Sequence, residues 1–430
     1  MTGDADGEHP VASSRGSRHW RDDVRLLRQR DLGLLVASRF VSVLGSAIAP
    51  IALAFGVLGI PGGSPTALGL VLFCAAVPRA LFILLGGVAA DRSGRARLMV
   101  LAETVAAVAQ LVAALLFLTG RATVPWLAVI AAVGGVATAM FFPAFTGLVP
   151  EVADDDELQS ANALLRLANN VASILGTAVG GVLVATIGSG WALVIDALTF
   201  AVSAVLLRLV RAHRTAPAAA RQSTLADLRD GWQEFTARRW VVVVVVLASV
   251  SNLGFSAAIG VLGPVQATAA LGGPGPWAVI VASFGLGTVA GVVVALRLRP
   301  GRPLLLASAV APLMVLPVAA MAPPAPVAVI AGLAFLGGVA ADVFGVMWDT
   351  ALQQHIPGES LSRVSAYDWF GSIALVPLGL AAAGPLVAAV GVETAIWVSF
   401  GLALVLVLGL LDPQVRNLRS GRPSDAPRPE

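Results

Sequence analysis

Between Asp31 and Asp412 the chain is a succession of apolar segments about as long as a bilayer is thick, with its charges gathered in the gaps. A helix needs roughly 20 apolar residues to cross the hydrocarbon core, because each residue advances it by about 1.5 Å. Segments of this kind lie at 32–58, 66–90, 98–119, 124–148, 161–187 and 190–210. Six more lie at 240–262, 276–296, 303–321, 326–350, 364–388 and 391–411. In lipid, only helices and closed barrels satisfy their own backbone polar groups, and apolar runs this long are helical. The expectation is an all-α membrane protein of twelve transmembrane helices. With 57% hydrophobic and 12% charged residues, the chain has too little polar surface to clothe a soluble domain.

All 28 basic residues are arginine, and those in the gaps collect on one side of the expected membrane. Arg15 to Arg30 precede the first segment, Arg92, Arg95 and Arg97 follow the second, and Arg208 to Arg221 follow the sixth. Arg297, Arg299 and Arg302 follow the eighth, and Arg416 and Arg419 the last, whereas the other side offers only Arg121 and Glu393. The positive-inside rule then makes both termini cytoplasmic. The chain divides into a cytoplasmic tail (1–30), a six-helix half (31–210), a linker (211–239), a second six-helix half (240–412) and a second tail (413–430). In the linker, Thr224 and Asp227 form a capping-box pattern, and Leu225, Leu228, Trp232 and Phe235 recur at helical spacing. Such a helix either lies flat in the membrane interface or packs on the protein's cytoplasmic face.

Several function classes drop out. The absence of lysine removes a phosphate-binding loop. Cys74 is the single cysteine, which excludes disulfides within the chain and cysteine metal clusters. The polar stretch from Met1 to Arg30 is unlike a cleaved leader. Gly285 to Ala290 fits the dinucleotide pattern GxGxxA, but it lies inside an apolar span with no strand before it. No zinc helix or nucleophile elbow is present, and the arginines sit in short tracts rather than a nucleic-acid-binding face. The chain is expected not to be an enzyme and to need neither metal nor cofactor.

The halves align with each other. Gly94-Arg95 recurs as Gly301-Arg302 and Pro150 as Pro357, both 207 residues on. Gly176, Gly181 and Leu183 recur as Gly379, Gly384 and Leu386, each 203 residues on. The difference falls where the first half carries the extra acidic stretch Asp154 to Glu157.

The loop Gly87, Asp91, Arg92, Gly94, Arg95 and Arg97, the glycine run Gly176, Gly180 and Gly181, and the stretch Trp348 to Pro357 resemble the major facilitator superfamily, and within it the macrolide and drug-efflux branch. The resemblance implies two pseudo-symmetric six-helix halves with a substrate site between them near the midplane. It implies a gating role for the Gly87 to Arg97 loop, whose arginines could also serve orientation alone. The glycine run has threonine where the exporter motif has proline, and plain helix packing is its rival reading. The fourth segment lacks the arginine of the familiar drug:proton antiporters.

Ionisable groups inside a membrane span are costly, which makes Arg39, Arg79, Glu103, Arg166, Asp196, Asp342, Asp349 and Asp368 functional candidates. Glu103, Asp349 and Asp368 lie towards cytoplasmic ends, where water or Arg363 could reach them, and Asp349, Arg363 and Asp368 are candidates for a cytoplasmic gate. With the family's arrangement, Asp342 becomes the candidate proton-coupling residue, with Arg39 or Arg79 answering its charge; a static ion pair is the alternative. Asp196 reads as a structural contact. Trp348, Tyr367, Trp369 and Phe370 could wall an apolar ligand or simply pack. The expectation is a carrier in a bacterial inner membrane that exports an amphiphilic or apolar small molecule by alternating access against protons. Metabolite uptake or exchange, and a transport-dead sensor or scaffold, are the alternatives. The implied partners are the substrate, protons and the lipid bilayer, with no nucleic acid.

Overall fold

The computed structural model describes residues 26–154, 157–211 and 224–420. Its long apolar helices are α1 (Arg30–Gly59), α2 (Pro65–Ser93), α3 (Arg95–Leu118) and α4 (Val124–Val152). A continuous helical stretch then runs over Leu158–Leu209. In the second half follow α7 (Arg239–Leu271), α8 (Pro274–Arg297), α9 (Pro303–Met321), α10 (Val327–His355), α11 (Arg363–Val390) and α12 (Val392–Leu411). The 52 residues of Leu158–Leu209 would extend about 78 Å as one straight helix, more than twice the hydrocarbon thickness. They do not run straight. Gly188 breaks the helix at φ 86°, ψ 166°, a conformation that favours glycine, and yields α5 (158–187) and α6 (189–209). Among the described residues the helices therefore make twelve spans.

The connection between α2 and α3 is shorter than its charge pattern suggests. Helix continues through Asp91 and Arg92 to Ser93, Gly94 turns the chain at φ 85°, and Arg95 already begins α3. The expected seven-residue loop is one glycine between two helix ends. Beyond α6, the surface helix Thr224–Thr236 packs on the second half. Phe235 is 5% exposed, and its ring lies 5.9 Å from that of Tyr367. The side chains of Thr224, Leu225, Asp227 and Leu228 lie outside the described residues.

The internal repeat appears as matched close approaches. Gly176 of α5 packs against the Leu44 carbonyl of α1, and its repeat mate Gly379 of α11 packs against the Leu253 carbonyl of α7. Gly181 of α5 meets Pro274 and Ala278 at the start of α8, and its mate Gly384 of α11 meets Pro65 and Thr66 at the start of α2. The first pair binds each half together; the second joins the two halves. Missing side chains let helix backbones approach closely, which supplies packing where lipid removes the hydrophobic drive. Each half also closes through an aspartate: Asp31 Oδ1 accepts from the Arg211 backbone N–H at 3.0 Å, and Asp412 Oδ2 accepts from Arg239 Nε at 3.2 Å.

The buried side chains form distinct cores. At the end remote from the arginines, one cluster unites the halves, with Ile48, Ile51, Leu68 and Val71 packed among Val261, Leu262, Trp277 and Ile396. At the arginine-rich end the halves have separate cores, Leu32, Leu98, Phe145 and Leu148 in the first and Trp240, Trp348, Leu352 and Val364 in the second. Among the described residues the buried core is thus shared by the halves at one end and divided between them at the other. Its outer surface is apolar: Leu81 is 66% exposed, and Leu296 and Leu411 are each 75% exposed. Trp126 and Trp191 stand exposed near the starts of α4 and α6, in keeping with an interfacial aromatic belt.

Candidate functional site

The principal cavity lies between the halves and has a volume of about 530 Å³. Most of its wall comes from α1 to α4, including Leu53, Ala75, Ala131 and Gly134. The second half contributes Phe255, Ser256, Ile259, Gly260 and Leu380. Ile259 and Gly260 belong to a π-helical turn of α7, Ala258–Leu262, of a kind that often marks functional sites. Among the described residues, Arg79 is the one charged side chain on the wall. An apolar cavity with a few polar groups is the ordinary form of a small-molecule site.

Beside this cavity, three polar stripes meet. Helical spacing puts Arg39, Ser42 and Ser46 on one face of α1, Glu103 and Gln110 on one face of α3, and Asp196, Thr199 and Ser203 on one face of α6. Ser42 Oγ donates to Glu103 Oε1 at 2.9 Å, and Gln110 Nε2 donates to Asp196 Oδ2 at 2.6 Å. Arg39 Nε donates to Asn169 Oδ1 at 2.9 Å, and its guanidinium lies 5.4 and 5.0 Å from the ring centroids of Phe141 and Phe145. Glu103 is 2% exposed and Asp196 is wholly buried. A side pocket of about 70 Å³ reaches Arg39, Ser42 and Glu103 and shares Ser46, Ala106, Thr138 and Phe200 with the main cavity.

The carboxylate of Glu103 is therefore not near water at a cytoplasmic end, as its distance from the start of α3 suggested. It points inward against α1. The signal that identifies it is the seven-residue spacing of Glu103 to Gln110 and of Asp196 to Ser203, which places each pair on one helix face.

Asp342 and Arg39 occupy different surroundings. Arg39 lies within the first half and interacts electrostatically with Glu103. Asp342 sits beside Gly291 of α8, and its charged neighbours are Arg166 of α5 and Asp349. Arg79 faces the cavity. Asp349, also opposite Arg166, is exposed. Asp368 accepts from Trp348 Nε1 at 3.0 Å, and Arg363 lies beside the linker helix, so both make contacts inside the second half. Trp348 is buried in that half's core, Tyr367 packs on Trp232, and Trp369 and Phe370 are exposed; none of the four lines the cavity.

Of the Gly87 to Arg97 segment, Arg95 bridges α3 and α4, donating to the Gly147 carbonyl and to Glu151 Oε1, each at 2.8 Å. Arg97 is exposed in the first turn of α3. The side chains at Gly87, Asp91 and Arg92 lie outside the described residues. Gly180 faces Ile48 of α1, completing the packing surface formed by Gly176 and Gly181.

A family profile described as Major Facilitator Superfamily matches residues 35–374. The "Uncharacterized MFS-type transporter YkuC" of Bacillus subtilis (strain 168) is 24% identical over 191 residues, which is 44% of this chain and 44% of that protein. The chain thus matches under half the length of that relative. Among solved structures, a mutant form of the nucleoside transporter NupG superposes with a TM-score of 0.74 at 12% identity, covering 88% of this chain and 98% of that one. A bacterial homolog of the human lysosomal transporter Spinster, in an inward-facing and unoccupied conformation, superposes with a TM-score of 0.57 at 17% identity, covering 92% and 95%. At these identities the structural likenesses concern the fold alone.

Proposed function

We propose, from the premise that this chain belongs to the Major Facilitator Superfamily, that it is a secondary transporter exporting an amphiphilic or apolar small molecule across a bacterial cytoplasmic membrane in exchange for protons. The observation that carries this reading is the cavity of about 530 Å³ between the halves, walled by alanine, leucine, isoleucine and phenylalanine with Arg79 as its charged group. Such a wall suits a lipophilic body bearing one anionic or hydrogen-bond-accepting group. With the arginine-rich end, where the core is divided between the halves, taken as cytoplasmic and as the side of entry, substrate comes from the cell interior or inner leaflet. Release requires the joint core to separate and the arginine-rich ends to meet. Arg166 attracts Asp342 and Asp349 from the opposite half, and that attraction favours the meeting.

The test is accumulation of a lipophilic panel, sorted by charge, in an efflux-deficient host with and without a protonophore. Wild type is expected to lower accumulation, and the protonophore to restore it. Hydrogen bonds to charged groups are worth about 1.5–3 kcal/mol, so Arg79→Gln should lose roughly ten- to a hundredfold in affinity for acidic compounds. Neutral compounds should still be exported. Wild-type protein that is confirmed in the membrane yet alters nothing would remove the export reading.

A further inference from the structure

We propose that Glu103 and Asp196 form a carboxyl pair that holds one exchangeable proton inside the first half, between α1, α3 and α6, and that this pair is the transporter's proton site. The inference deepens the export reading and rests on it for the coupling role, though not for the proton itself.

Three buried oxygens at this junction, Glu103 Oε2, Asp196 Oδ1 and Ser203 Oγ, make no well-formed hydrogen bond among the described residues, although Ser203 stands beside Glu103 and Thr199 beside Asp196. Unsatisfied polar atoms in a membrane interior are expensive, and three of the four such side-chain oxygens among the described residues gather here, the fourth being Asp342 Oδ2 beside α8. Glu103 interacts electrostatically with Asp196 on one side and with Arg39 on the other. With both carboxyls ionised, Arg39 offsets only one of two buried negative charges, and the surplus has no counterion among the described residues. A single proton on either carboxyl brings the cluster to neutrality. A proton on Glu103 also supplies a donor that Ser203, beside it, can accept.

Among the described residues facing the pair, Arg39 is the other ionisable group. Helix α1 presents Arg39 and Ser42, α3 presents Gln110, α6 presents Thr199 and Ser203, and α4 presents Thr138 and Phe141 to the pocket. From α5, Asn169 holds Arg39 in place. The small pocket gives cavity water a path to Glu103, and Gln110 belongs both to the cavity wall and to the hydrogen bond on Asp196. A substrate that draws Gln110 away weakens the carboxylate it supports. Occupancy of the cavity and of the proton site are thereby linked, and reciprocally so.

Glu103→Gln and Asp196→Asn keep the oxygen that accepts from Ser42 or Gln110 and remove only the ionisable function. In pH-difference infrared spectra of the purified protein in nanodiscs, wild type should show one titrating protonated-carboxyl band. Glu103→Gln and Asp196→Asn should each remove or displace it, and Asp342→Asn should leave it in place. The absence of such a band from wild type, or its persistence unchanged in both variants, would overturn the assignment. Displacement of the band by sodium at fixed pH would overturn it in favour of a metal cation. For the panel compound that wild type exports, Glu103→Gln should raise accumulation to the level of cells without the protein. Export that survives Glu103→Gln and remains protonophore-sensitive refutes the coupling role. If wild type exports nothing, the export reading fails, and the infrared titration still decides the proton site.

Discussion

Gly134→Trp is expected to abolish export while leaving a folded protein in the membrane. Gly134 lines the central cavity from α4, and a Cβ built there meets nothing within 4 Å. Backbone geometry is no obstacle, since glycine inside a helix is itself destabilising by roughly 0.5–1 kcal/mol relative to alanine. An indole brings about 150–250 Å² of surface into a space the substrate must use. The neighbouring glycine provides the contrast. Gly135 faces α2, and a Cβ there would run into the Ala75 carbonyl, so Gly135→Trp should fail by unfolding rather than by blockage. Thermal melting in detergent and accumulation in cells separate the two: the first variant melts like wild type and exports nothing, the second is lost from the membrane. A Gly134→Trp protein that exports normally would mean that the substrate takes another route.

The fold was legible because the bilayer itself sets the length and apolarity of each span. The twelve segments agree with the helices to within a few residues at most ends, and the repeat spacing of Gly176 with Gly379 and of Gly181 with Gly384 anticipated two symmetric packing contacts. Helix ends were less legible wherever charge was the guide. Asp91, Arg92, Arg95 and Arg97 mark the depth at which water begins, yet the helices continue through them and only Gly94 leaves helical geometry. In the site, linear position misled. Glu103 lies only eight residues from the start of α3, but the face it occupies, shared with Gln110, turns it into the protein. The partner of Asp342 was illegible for a related reason. Hydropathy gives the length of α10 but not its rotation, and that rotation sets Asp342 beside α8 and opposite Arg166 rather than Arg39.

The repeat glycines divide into two classes with different consequences when enlarged. Gly176 and Gly379 each press on a backbone carbonyl of their own half, a contact present however the halves are arranged. Leucine there overpacks every state, costing typically about 1–3 kcal/mol, and should lower the melting temperature in all conditions. Gly181 and Gly384 press instead on the opposite half, at the end where the two are joined. Leucine at either position penalises only the joined arrangement, and the same 1–3 kcal/mol becomes a shift of roughly 5–150-fold towards the form parted at that end. The lone Cys74 makes this readable, since Cys74→Ser gives a thiol-free background for a reporter at Ile259, on the cavity wall. Gly181→Leu and Gly384→Leu should raise labelling of Ile259→Cys by an impermeant maleimide added outside the cell, whereas Gly176→Leu should reduce the amount of protein without raising the labelled fraction. Equal labelling across all three would mean that the contacts of Gly181 and Gly384 do not govern closure of that end, and the far-end core would then have to hold the halves together without them.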